Sequence, residues 1–223
     1  MDIHKHNIKG NDSVGAFASL TDTLLFLSPT MNSEAGKRLS EELAVKAVPI
    51  SICESDLLGI WCRANSKGML IPDMVSDEEK ALISSIGVDL RVEVLQSRLN
   101  AVGNNVLAND RIAIINPNYS TEEAKVISDV LGVETVKMAI GGFKTVGANN
   151  ILTNKGAVLN NRCTDDEMER VKELTGFQPV RSTASTGALS VGLSVLANSR
   201  AALFGELTTG YEMARIIDSL EGE

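Results

Sequence analysis

The sequence predicts an α/β protein made of five copies of one strand–strand–helix–strand unit, closed into a ring by its N-terminal strand. Three observations carry this. Gly15, Gly59, Gly103, Gly147 and Gly192 stand 44, 44, 44 and 45 residues apart. A fixed period of that size marks a repeat architecture, in which each unit packs on its neighbours. Seventeen residues past each glycine come Asn32, Ser76, Ser120, Thr164 and Thr209, all helix N-cap types. Three further on stand Ala35, Glu79, Glu123, Glu167 and Glu212, so four of the five units can complete a capping box.

The elements follow in order within each unit. An apolar run holds the register glycine, as in 57–64, 101–108, 145–153 and 189–197, and reads as a first strand. A turn comes next, clearest in Asn65-Ser66-Lys67-Gly68 and Asn154-Lys155-Gly156, where Asn and Gly tolerate left-handed backbone. A second short run follows, such as 69–71 or 112–115, closed by Pro29, Pro72 or Pro117 in the first three units. The capped helix then spans about three turns. Its inner face repeats an apolar residue at i and i+4, in Leu39 and Leu43, Ile127 and Leu131, and Ile216 and Leu220. A third strand ends the unit, as in 90–96, where Leu90, Val92 and Val94 alternate with Arg91 and Glu93.

These boundaries place the units at approximately 9–52, 53–96, 97–140, 141–184 and 185–220. The fifth lacks a third strand. The unassigned segment 3–8 reads as a strand that supplies it, and closure removes the edges an open array would expose. The repeat consumes nearly all of the 223 residues, which favours a single domain.

Composition narrows the class. No apolar run is long enough to cross a bilayer, and the first ten residues carry His4, Lys5, His6 and Lys9 with no apolar signal-peptide core. Three scattered cysteines fit a reducing interior better than a disulfide framework, so the expected location is cytoplasmic. There are 21 Lys and Arg against 29 Asp and Glu, a net charge of −8. That balance argues against binding driven by phosphate contacts, and aromatic residues at 4% argue against base stacking. An acidic surface suits either a basic protein partner or simple solubility.

Catalytic chemistry finds no constellation. His4 and His6 share one side of the closing strand, but a metal would need two more ligands, so they read as solvent-facing. Cys53 and Cys62 fall in apolar strand runs, where a buried, inert thiol is expected. Cys163 directly precedes a helix cap, whose dipole could lower its pKa, but a plain surface thiol is the better reading. Gly141-Gly142-Phe143-Lys144 lacks the spacing of a phosphate loop. The chain is read as a non-enzymatic monomer without metal or cofactor.

The strongest local anomaly is asparagine in the first-strand runs, at Gly103-Asn104-Asn105 and Gly147-Ala148-Asn149-Asn150. Either these amides line a polar axis or they present a recognition surface. The residues alone leave both open.

Four segments carry a resemblance: 145–149 continuing through 153–156, 64–72, 99–104 and 207–210. In order and spacing they resemble the archaeal and eukaryotic translation initiation factor 6 family, and the length without a C-terminal tail resembles the archaeal form. The first unit departs with Leu20-Thr21-Asp22 in place of the Asn turn, and the fourth lacks the proline after its second strand. The resemblance implies a pentein fold, a five-fold pseudosymmetric α/β propeller. It implies binding to the intersubunit face of the large ribosomal subunit, through ribosomal proteins near the sarcin–ricin loop. Little direct RNA contact, no membrane partner, steric exclusion of the small subunit and a role in large-subunit biogenesis are implied with it.

The matching ribosome-contacting step is Gly103-Asn104, and pseudosymmetry extends it to Ile60, Asn105, Ala148, Asn149 and Leu193. Two rivals remain: a pentein-fold guanidine-modifying enzyme and a non-catalytic scaffold for other partners. The first would need a cysteine in the fifth unit, which has none.

Overall fold

The computed structural model describes every residue except Asn32, Val88 and Glu223. The expected N-cap at Asn32 therefore lies outside the described residues. Among the described residues there are five three-stranded sheets, four from one repeat each and the fifth shared between the last repeat and the N-terminal strand. In every sheet the second strand is central, antiparallel to the first and parallel to the third. The central strands Leu24–Leu27, Gly68–Pro72, Ile112–Ile115, Ala157–Asn160 and Ala201–Gly205 are buried almost throughout. Burial on both faces explains why they read as unbroken apolar runs with no alternation.

The N-terminal strand Asp2–His6 lies parallel to Ala201–Gly205, with Asp2 opposite Ala201 and His6 opposite Gly205. It completes the fifth sheet. His4 and His6 share one side of this strand, as the spacing requires. That side faces Glu42 of the first helix, whose Oε1 lies 2.9 Å from His6 Nε2.

Four helices begin with complete capping boxes: Ser76 with Glu79, Ser120 with Glu123, Thr164 with Glu167 and Thr209 with Glu212. Each helix buries its apolar stripe on the sheet of the preceding unit. Ile83 packs with Phe26 and Val48, Ile127 with Leu70 and Leu95, Val171 with Ile114, and Ile216 with Val158. Leu39 of the helix Ser33–Glu42 and Leu43 just after it pack with Leu203 of the fifth unit, so the pattern closes on itself. Each such side chain contributes roughly 1.5–3 kcal/mol through burial. No unit can bury its own core alone.

One local expectation is corrected. The register glycines lie in one-turn helices that precede the first strand: Val14–Phe17, Leu58–Trp61, Val102–Asn105, Val146–Asn149 and Val191–Ser194. The asparagines therefore stand on helical turns and violate no strand preference. Cys53 is corrected as well. It occupies a tight turn with φ of 54°, enclosed by an isolated bridge between Ile52 and Ser55.

Candidate functional site

The five one-turn helices meet around one end of the central axis, in the cyclic order of the units. Their glycines explain how they come so close. A Cβ on Gly59 would lie within 3.0 Å of the Gly15 carbonyl oxygen, and Gly103 stands likewise against Gly59, and Gly147 against Gly103. Gly192 faces Gly147, and Gly15 faces Gly192. Five backbones touch in a closed ring that only glycine permits.

The residues that follow the five glycines are Ala16, Ile60, Asn104, Ala148 and Leu193. Ala16 and Ala148 are buried, whereas Ile60, Asn104 and Leu193 are partly exposed. Ile60 and Leu193 pack against one core cluster with Ala16, so units five, one and two form a continuous strip. Asn104 of unit three continues it.

The asparagines divide by their hydrogen bonds. Asn105 Nδ2 donates to Ala101 O at 2.9 Å, and its Oδ1 accepts from Asn116 Nδ2 at 2.7 Å. Asn149 Nδ2 donates to Thr145 O at 2.9 Å and Thr145 Oγ1 at 3.0 Å. Asn150 Nδ2 donates to Val146 O at 2.8 Å, and its Oδ1 accepts from Asn160 N at 3.0 Å. These three bond carbonyls at the N-terminal ends of the one-turn helices, at Ala101, Thr145 and Val146. Asn104 differs, because its Oδ1 is buried at the atom level and has no partner within the protein. Such an acceptor costs about 1–3 kcal/mol until something donates to it. Loops following the second strands surround the same end, and they expose Met74 and Leu207. The end is partly apolar, with Ile60 and Leu193 partly exposed and the Asn104 acceptor buried just beneath.

Comparison with known proteins agrees with this architecture. The model of the eIF-6 family matches residues 3–219. The chain belongs to the eIF-6 family. Translation initiation factor 6 of Methanocaldococcus jannaschii is 35% identical over 215 residues, 95% of this chain and 94% of the relative. Translation initiation factor 6 of Methanopyrus kandleri is 36% identical over 118 residues, 53% of this chain and 52% of the relative. Eukaryotic translation initiation factor 6 of Encephalitozoon cuniculi is 34% identical over 113 residues, 50% of this chain and 47% of the relative. The chain thus spans about half the length of the latter two and nearly all of the first.

In this eIF-6 family member, the opposite end of the axis carries a hydrogen-bonded polar cluster that sequence reading missed. Seven residues past the glycines stand Asp22, Ser66, Asp110, Asn154 and Ser199. Ser66 N donates to Asp110 Oδ1 at 2.7 Å, and Asp110 N donates to Asn154 Oδ1 at 3.0 Å. Asn154 Nδ2 donates to Asp22 Oδ2 at 2.9 Å, and Ser199 N donates to Asp22 Oδ1 at 2.9 Å. Burial opposes ionisation of Asp22. Hydrogen bonds from Ser199 and Asn154, with the nearby Arg200 charge, outweigh it and hold the carboxyl below its ordinary pKa. The 44-residue spacing was the available signal, but each residue alone reads as ordinary turn chemistry.

All three thiols have raised pKa values. Burial pushes Cys62 up to about 12, and its Sγ lies 3.1 Å from Leu58 O. Cys163, expected at the surface, is buried. Desolvation and the Glu167 carboxylate raise it to about 12, overriding any helix-terminus effect. Burial and the charges of Glu79 and Asp73 also raise Cys53. Among the described residues, no group of three or more His, Cys, Asp or Glu side chains is arranged to hold a metal ion. No helix among them is long and apolar enough to cross a membrane.

Proposed function

We propose that the chain is a translation factor that binds the intersubunit face of the large ribosomal subunit and blocks joining of the small subunit. The match of residues 3–219 to the eIF-6 family carries this reading. The net charge of −8 supports docking on basic ribosomal proteins near the sarcin–ricin loop, with little direct RNA contact. The mechanism is steric, with no bond made or broken, and the protein acts as a cytoplasmic monomer. A part in large-subunit biogenesis follows if it binds before the subunits first meet.

The docking surface is the glycine-helix end. Asn104, Ile60 and Leu193 supply the contacts, and Gly103, Asn105, Ala148 and Asn149 hold the plate beneath them. An apolar centre with one polar anchor suits a protein partner. Ile60→Glu and Asn104→Asp place carboxylates in that plate without disturbing the glycine ring. Each is expected to weaken co-sedimentation with isolated large subunits at least about tenfold, or about 1.4 kcal/mol. Ile60 packs on the core and Asn104 Oδ1 is buried, so each variant is also expected to lose about 1–3 kcal/mol of stability and is compared only after circular dichroism shows it folded. Unchanged binding by both folded variants would remove this face from the interface.

A further inference from the structure

The first unit departs from the other four along the seam between its helix and its own sheet. Twenty-one residues past the register glycines stand Gly36, Lys80, Ala124, Met168 and Met213. Ala124 shares a core cluster with Ile115 of its own central strand, Met168 packs on the cluster of Leu159, and Met213 on that of Phe204. In the first unit the matching strand residue is Leu27. A Cβ on Gly36 would meet only Leu27, at 3.5 Å, which is ordinary contact. Gly36 lies inside the helix Ser33–Glu42, where glycine is the poorest former after proline. Neither backbone nor close packing requires it there. Sixteen past the register glycines, Val75, Tyr119, Cys163 and Thr208 are buried, whereas Met31 is partly exposed.

The seam of the first unit is therefore an open groove of about 610 Å³, between the helix Ser33–Glu42 and the strand Lys46–Pro49. Leu27, Pro29, Met31, Ala47 and Pro49 give it an apolar lining. Its only charged lining residues are Lys37 on the helix wall and Lys46 on the strand wall. Lys37 Nζ lies 3.9 Å from Glu41 Oε1, but these side chains are 78% and 68% exposed, so the pair is worth little. None of the ion pairs among the described residues involves Lys46. A groove with two such cations and no acid reverses the sign of a chain whose net charge is −8.

We propose that this groove docks an acidic amphipathic segment of a partner protein. Its apolar side chains seat on Met31, Ala47 and Pro49 beside Gly36, and its carboxylates pair with Lys37 and Lys46. A nucleic acid is disfavoured, since affinity from phosphate contacts needs many cations and only two stand here. None of Ile60, Asn104 and Leu193 lines the groove, so this partner docks without using them.

The probe is a displayed library of random octapeptides, selected on the immobilised full chain. Selected peptides are expected to combine Asp or Glu with Leu, Ile, Met or Phe, and on titration to shift the amide resonances of residues 33–40 and 46–49. Gly36→Met puts into the groove the side chain that the fourth and fifth units carry at that position. Helix propensity favours it, so its unfolding midpoint should not fall, while peptide affinity should drop at least about tenfold. The exposed double variant Lys37→Glu with Lys46→Glu should lower affinity at least as much, and this readout stands even if Gly36→Met does not fold. Selection that yields no acidic binder, or acidic peptides that keep their affinity for the folded variants, would overturn the proposal. So would an octauridylate that shifts the same resonances more strongly than the peptides do.

Discussion

Gly59→Ala is expected to cost at least about 3 kcal/mol of stability, at or beyond the upper end for overpacked positions. The added methyl would lie within 3.0 Å of the carbonyl oxygens of Gly15 and Ala18. Both are backbone atoms of the neighbouring unit, so no side chain can swing aside. The ring transmits the displacement further, because Gly103 is seated in turn on Gly59. Gly210→Ala is the matched control. A methyl there meets nothing within 4 Å, and the site is the first residue of the helix Gly210–Leu220. It is expected to be neutral or stabilising by up to about 1 kcal/mol. Denaturant unfolding followed by circular dichroism separates the two. A Gly59→Ala protein within about 0.5 kcal/mol of the parent would mean that the five backbones are not in contact.

Glu79→Ala is expected to cost about 2–4 kcal/mol. Besides capping its own helix, Glu79 accepts from Ser51 Oγ at 2.6 Å, Cys53 N at 3.1 Å, Glu54 N at 3.0 Å and Ser76 N at 3.1 Å. It thereby fixes the tight turn that leads into the glycine helix. Removing a buried acceptor leaves donors unpaired at about 1–3 kcal/mol each, partly relieved by entering water. Desolvation opposes ionisation of Glu79, but hydrogen bonds from Glu54, Ser51, Ser76 and Cys53 prevail, and its pKa falls below 4.5. A depressed carboxyl pKa gives stability that is present above the unfolded value and is lost as pH falls through the folded one. The gap between parent and variant should therefore narrow between pH 7 and pH 3. Exposed Glu78→Ala should show neither effect. An equal gap at both pH values would contradict the assignment to the ionised carboxylate.

What was legible in the sequence is what repeats locally. Glycine spacing, the four capping boxes and the i, i+4 stripes are short-range patterns, so units and helices could be placed from them. The closing strand followed by subtraction, since the fifth sheet lacked a member that only residues near the N-terminus could supply. The one-turn helices were missed because four residues carry no helical period, and Val-Gly-Asn-Asn beside an apolar strand reads as part of it. The hydrogen bonds from Asn105 to Ala101 and from Asn150 to Val146 exist only once that turn has formed.

The candidate plate was legible in part. The amide anomaly at Gly103-Asn104 lies in the one-turn helix Val102–Asn105, at the glycine-helix end of the axis. Which amide is hydrogen-bonded within the protein depends on the helical turn, so Asn104 could not be separated from Asn105. Burial of Cys163 likewise depends on the third sheet, whose Leu107 and Ile114 pack in the same cluster.

Sedimentation of purified subunits is the most direct test of a closed plate that keeps them apart. With the protein present, joined particles should decrease and free small subunits increase in proportion to added protein, while the protein migrates with the large subunit. Migration with the small subunit, or unchanged joining when every large subunit is occupied, would contradict the account.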